Sequence, residues 1–101
     1  MRILFLTLAE VVEIHQDSIA RYGGSPGIRS QGLLESALAQ PAAMFGGEYL
    51  HAFPHEMGAA YLFHLVMNHP FVDGNKRIGA MTARVFLLIN DVAFDPPEAD
   101  Y

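Results

Sequence analysis

The chain has 101 residues, of which 51% are hydrophobic and 17% charged, enough apolar surface for one compact core and too little length for two. Eleven acidic against six basic residues give a net charge of −5, which argues against a protein whose task is to neutralise a nucleic-acid backbone, so direct nucleic-acid binding is not expected. Cysteine is absent, which excludes disulfides, thiolate metal ligands and a cysteine nucleophile and leaves a reducing cytoplasm as the expected location.

Met1-Arg2-Ile3-Leu4-Phe5-Leu6-Thr7-Leu8-Ala9 imitates the charged and apolar parts of a signal peptide, but Glu10 breaks the run and no small-x-small cleavage site follows. No stretch approaches the roughly 18 uncharged apolar residues of a membrane span, so no membrane association is expected. Thr7-Leu8-Ala9-Glu10 fits a capping box. With Leu8, Val11, Val12, Ile14, Ile19 and Ala20 near helical spacing and Gly23-Gly24 as the stop, it predicts a first helix over residues 8–22. Ser25-Pro26-Gly27 reads as a turn. Ser30 can cap a second helix through Gln40, ended by Pro41, with Leu33, Leu34, Ala37 and Leu38 as its inward stripe. Residues 41–53 show no sustained period and are expected to be irregular, either a lid or a plain connector.

Pro54 suits the first turn of a third helix through Met67, apolar on nearly every side and therefore central, with His64 as a buried structural residue. A fourth helix is expected over residues 75–89, with Ile78, Met81, Val85, Phe86, Leu88 and Ile89 available to the core. Gly58, Ala59, Ala60, Gly79, Ala80 and Ala83 are small enough to let the last two helices pack closely. Asn90-Asp91 ends the pattern, and the residues from Val92 to Pro97 read as extended. The expected fold class is all-α, in one domain.

Between the third and fourth helices, His69-Pro70-Phe71-Val72-Asp73-Gly74-Asn75-Lys76-Arg77 gathers an imidazole, a carboxylate, a carboxamide, an ammonium and a guanidinium within nine residues. Taken singly, each has an ordinary explanation: Asp73-Gly74-Asn75 is a common turn and cap, and Lys76-Arg77 a common solvated helix turn. Their joint occurrence at a junction of two apolar helices points to chemistry. Gly74 permits unusual backbone geometry, and the amides of Gly74, Asn75 and Lys76 would open the fourth helix, where free N–H groups and the helix dipole favour an anion such as phosphate. Lys76 and Arg77 add positive charge there. A carboxylate beside a phosphate seat implies a divalent cation, Mg²⁺, held by Asp73. An imidazole is the usual proton acceptor for an attacking hydroxyl near neutral pH, which makes His69 the candidate base.

Two other motifs fail on their own terms. Gly74-Asn75-Lys76-Arg77 follows a helix and lacks the order of a P-loop, and in His55-Glu56-Met57-Gly58-Ala59 alanine stands where a zinc protease has its second histidine. Pro54 interrupts helical geometry between His51 and His55, so zinc is not expected.

The nine-residue segment resembles the signature of the Fic/Doc family, specifically its Doc branch. Arg21-Tyr22-Gly23-Gly24 and Gly32-Leu33-Leu34-Glu35-Ser36-Ala37 extend the similarity, which runs to about Asp95. The wider Fic family transfers AMP from ATP to protein hydroxyls and has a glycine where Lys76 stands and an arginine where Ala80 stands. Both departures favour the Doc branch, whose members phosphorylate a hydroxyl of elongation factor Tu and arrest translation. The resemblance implies a compact helical bundle with His69 as the catalytic base and Asp73 as the Mg²⁺ ligand. It makes Gly74, Asn75, Lys76 and Arg77 the residues for the phosphates of ATP, and Phe71 the apolar anchor of the loop. It implies a toxin restrained by a cognate antitoxin with a Phd-like tail. The inhibitory Ser/Thr-x-x-x-Glu-Gly/Asn pattern of other Fic proteins is absent from the chain, which fits control by a separate partner. Doc proteins continue for about another helix, so the expectation includes a domain shortened at its C-terminus. AMP transfer and an inactive partner-binding module are the competing readings.

Overall fold

In the computed structural model, which describes residues 2–92, the main elements are four helices: α1 (Leu8–Tyr22), α2 (Gln31–Ala39), α3 (His55–Asn68) and α4 (Asn75–Ile89). The expected all-α class holds, with one small addition. Two short strands, β1 (Met44–Phe45) and β2 (Glu48–Tyr49), pair antiparallel within the segment expected to be irregular. Gly46 and Gly47 both take positive φ, 60° and 82°, which is what a tight two-residue hairpin turn requires. The Leu50 amide donating to the Ala43 carbonyl at 2.9 Å extends the ladder.

Both halves of the capping box start α1: the Glu10 amide donates to Thr7 Oγ1 at 3.2 Å, and the Thr7 amide to Glu10 Oε1 at 2.8 Å. Gly23, at φ 88°, closes the helix through its N–H to the Ile19 carbonyl. The side chains that α1 buries most fully are Val11, His15 and Ser18, while Leu8, Val12 and Ile14 are half-buried and Ala20 is exposed. Ser30 caps α2 by accepting from the Leu33 amide. Leu34 and Ala37 enter the core and Leu38 packs against it, but Leu33 is exposed. The short α2 touches α3 and α1 on one narrow face, and Leu33 lies off that face.

The helices α3 and α4 form the main packing pair. Small residues allow it: a Cβ on Gly79 would stand 3.2 Å from the Leu62 carbonyl oxygen and 3.2 Å from Val66 Cγ2, and one on Gly58 would meet Leu87 at 3.7 Å. Ala59 and Ala80 take no part, since both are exposed. Rings of Phe5, Phe53 and Tyr61 gather around Phe86 at centroid distances of 5.8, 6.2 and 5.2 Å. The Tyr61 hydroxyl accepts from the buried Leu6 amide at 3.0 Å. At the far end of α4 the Asn90 carboxamide bonds both main-chain groups of Leu4, fastening the N-terminal residues to the helix.

Three expectations for these helices need correction. α3 is central but not enclosed: Leu62, Phe63 and Met67 are exposed, because α2 and α4 cover only part of its circumference. His64 is accordingly half-exposed, edge-on to Phe63, and not a buried structural residue. On α4, Leu88 and Ile89 face outward, while Thr82 and Leu87 join Ile78 and Phe86 inside. The expected extended segment beyond Val92 lies outside the described residues. Among those described, no helix is long and apolar enough to cross a membrane.

The close α3–α4 approach predicts that Gly79→Val overpacks against backbone that cannot move aside and lowers stability by about 1–3 kcal/mol. Gly32→Ala, where an added Cβ meets nothing within 4 Å, should raise it by up to about 1 kcal/mol. Urea unfolding of both variants checks the pair, and a neutral Gly79→Val would count against the packing.

Candidate functional site

The chain leaves α3 through His69, whose φ of 50° and ψ of 52° place it in the left-handed region. That position usually falls to glycine, which has no Cβ to crowd the next carbonyl. Pro70 and Phe71 then turn inward and are buried. The Asn75 carboxamide, 4% exposed, closes a ring around Phe71: its Oδ1 accepts from the Phe71 amide and its Nδ2 donates to the Phe71 carbonyl, both at 2.9 Å. Gly74, at φ 77°, opens α4.

A second segment, residues 23–30, runs alongside this loop as a template. The Arg29 and Ser30 amides donate to the Pro70 carbonyl at 2.7 and 3.0 Å, and the Val72 amide donates to the Gly27 carbonyl at 3.0 Å. The Arg29 guanidinium reaches the last carbonyls of α3, with Nε donating to His69 O at 2.6 Å and Nη2 to Asn68 O at 2.9 Å. From α1, His15 stacks flat on Phe71, with ring centroids 3.8 Å apart and planes 10° apart. His15 Nε2 lies 2.8 Å from the Asp73 carbonyl oxygen. A carbonyl only accepts, so this nitrogen carries the proton.

The result is a cleft of about 550 Å³ lined by Tyr22, Gly23, Gly24, Val66, His69, Asp73, Gly74, Asn75, Lys76 and Arg77. The six chemistry-bearing residues read from the sequence therefore meet in one place, and Phe71 sits beneath them as the buried anchor. Two of the six differ from expectation, since the Gly74 amide, expected in the anion seat, already donates to Asp73 Oδ1 at 2.8 Å. The Asn75 side chain is fully used inside the loop, so toward an anion it offers only its main-chain amide. No side chain caps the start of α4, so the amides of its first turn keep no partner within the helix and carry its positive pole.

Asp73 is exposed, and its two oxygens accept from different segments, Oδ2 from the Ser25 amide at 3.0 Å and Oδ1 from the Gly74 amide at 2.8 Å. The Ser25 amide above all, then that of Gly74, hold the carboxyl below the ordinary carboxylate range; partial desolvation opposes them, and the Arg77 charge assists. Arg77 is held across the gap: Nη2 donates to the Gly23 carbonyl at 2.7 Å, and the guanidinium carbon stands 5.7 Å from the centre of the Tyr22 ring. Its Nε is buried without a hydrogen-bond partner.

His15, Ser25, Arg29 and the Gly23-Gly24 pair are the site residues that sequence reasoning passed over as functional. Gly23-Gly24 had a signal as the stop of α1, and His15 had one as a polar residue four after Val11 and three before Ser18 on the buried face of that helix. The role of Arg29 depends on tertiary approach alone.

Because Asp73 has a lowered folded value, the ionised carboxylate contributes stability above the unfolded carboxylate pKa of about 4, and that contribution disappears as pH falls through the folded value. Thermal midpoints of the wild type and Asp73→Asn should differ at neutral pH and begin to converge only as pH falls below about 4. A gap independent of pH would show that the Asp73 charge does not matter to the fold.

A profile described as the Fic/DOC family matches residues 5–87. "Protein kinase doc" of Escherichia phage P1 is 36% identical over 90 residues, covering 88% of this chain and 71% of that protein. "Toxin Doc" of Mycolicibacterium smegmatis is 42% identical over 73 residues, covering 70% of this chain and 55% of that protein. The profile match takes in α1 to α3, all but the last two residues of α4 and the whole cleft, and the chain belongs to the Fic/DOC family.

Proposed function

We propose that this chain is a Doc-type toxin that transfers the γ-phosphate of ATP, with Mg²⁺, to a hydroxyl of a protein, elongation factor Tu, and is held in check by a cognate antitoxin in the cytoplasm. The observation that carries the reading is the meeting, in one cleft, of the free amide end of α4, the cations Lys76 and Arg77, the exposed carboxylate of Asp73 and the imidazole of His69. The names of the phage and mycobacterial relatives, a protein kinase and a toxin, favour phosphate transfer and a toxic role.

The residues suit the groups this reading requires. Each Asp73 oxygen accepts one backbone N–H and retains acceptor capacity, and the residue lines the cleft, which suits Mg²⁺, a cation usually held by one or two carboxylates together with phosphate oxygens and water. The first-turn amides of α4 and the cationic side chains of Lys76 and Arg77, which line the cleft, suit the phosphates. Bound Mg²⁺–ATP would supply the transferable phosphoryl group and neutralise the charge that develops on it. His69 takes the proton of the acceptor hydroxyl as its oxygen forms the new bond to phosphorus and the bond to the ADP oxygen breaks. Lys76 and Arg77 would hold the phosphates at the helix pole, and Asp73 would hold the metal. Ala80 places only a methyl group where the AMP-transferring relatives implied by the motif would have a second arginine.

Incubation with elongation factor Tu and ATP labelled at either the α- or the γ-phosphate tests this directly. Label from the γ position alone is expected, and His69→Ala should slow transfer by about 10²- to 10⁴-fold. Label from the α position would establish AMP transfer instead. Antitoxin binding with no label from either would establish a partner-binding module without catalysis.

A further inference from the structure

We propose that Arg29 is a positioning residue that sets the orientation of the base His69, an inference resting on the reading of His69 as proton acceptor. His69 holds a left-handed backbone conformation that a residue with a Cβ adopts reluctantly, at the helix end where glycine is the usual solution. Departures of this kind persist only where the surroundings over-determine them, and at a functional side chain they aim it. The surroundings here are Arg29. Its Nε–H and one Nη2–H grip two successive carbonyls, His69 O at 2.6 Å and Asn68 O at 2.9 Å, with the forked geometry that a guanidinium provides and an ammonium lacks. Its positive charge also suits the negative pole of α3.

Arg29 is itself fixed from behind, because its own amide and that of Ser30 both donate to the Pro70 carbonyl, the residue after His69. Four hydrogen bonds from two neighbouring residues thus hold the Asn68–Pro70 backbone, and the side chain of His69 emerges from the middle of that grip. The same segment reaches Asp73 through the Ser25 amide. Residues 25–29 therefore set the separation of the two ends of the site, the base at one and the metal carboxylate at the other. None of the hydrogen bonds of Arg29 touches the anion seat. Lys76 and Arg77 are placed by α4 and by the Gly23 carbonyl, so loss of the guanidinium should leave nucleotide affinity unchanged and damage only the proton-transfer geometry.

The test compares Arg29→Ala and Arg29→Lys with the wild type by steady-state phosphate transfer, and by the His69 backbone amide shift and coupling constant, which read φ without requiring activity. In Arg29→Ala, kcat should fall by about 10- to 100-fold with KM for ATP unchanged. The His69 resonance should move while those of Asn75 and Lys76 stay in place, and Arg29→Lys should recover part of both effects. An unaltered His69 resonance, or an ATP KM that rises in step with the fall in kcat, would overturn the proposal. If the wild type transfers no phosphate, the functional reading fails on its own, and the His69 resonance still decides whether Arg29 sets its backbone.

Discussion

The site depends on the burial of Phe71, the largest apolar side chain in the motif loop. A loop carrying an imidazole, a carboxylate and two cations has every reason to stay solvated and mobile, since little in it favours the interior. Full burial of a phenylalanine contributes about 1.5–3 kcal/mol, enough to draw the middle of such a loop into the core. Once there, its backbone N–H and C=O would be stranded without water. The Asn75 carboxamide meets both groups, a two-point match that an ionised aspartate, which only accepts, could not make. The residues on either side of this lock, His69 before it and Asp73, Gly74 and Lys76 after it, are left on the surface around a common opening.

The electrostatics follow from that geometry more than from composition. A chain with a net charge of −5 can still offer a local seat for anions, because backbone dipoles, which do not enter the count of charged residues, make the start of α4 positive. The arrangement would be self-defeating if Asp73 faced the same amides alone. Instead its carboxylate is divided between Gly74 on its own loop and Ser25 on the opposite one. This pulls it to the edge of the seat and keeps it ionised. Arg77 is drawn to the carbonyl of Gly23 on that same opposite loop, so acid and guanidinium sit near one another, each bonded to backbone and without a direct ion pair.

Helix boundaries and the motif were legible in the sequence because their causes are local. A capping box, a Ser cap, a proline and two left-handed glycines are read from neighbours in the chain, and α1 and α4 begin and end where those signals lie. Burial was less legible because it depends on which face another element covers. Leu33 and Leu88 look like core residues until α2 and α4 are seen to be covered on one side only. The hairpin at Met44–Tyr49 had a readable sign in Gly46-Gly47, but two-residue strands leave no periodicity to accompany it. At the site, the residues within the motif were found and those outside it were not. His15 and Arg29 act on the loop across 58 and 40 positions of chain, a relation that no local pattern encodes.

This asymmetry bears on what the nine-residue signature can mean by itself. Gly24 lies so close to Asp73 that a Cβ at that position would fall 2.8 Å from Oδ2, and its φ of 115° suits glycine alone. The α1–α2 loop can approach the carboxylate only because two glycines end α1, and only that approach brings the Ser25 amide and the Gly23 carbonyl into reach of Asp73 and Arg77. A chain with the same motif but a bulkier α1–α2 turn would keep Phe71 and Asn75 in place and still lose the orientation of its acid and its guanidinium. The chemistry-bearing residues therefore specify what the cleft can bind, while the loop some 50 residues earlier specifies whether they point into it.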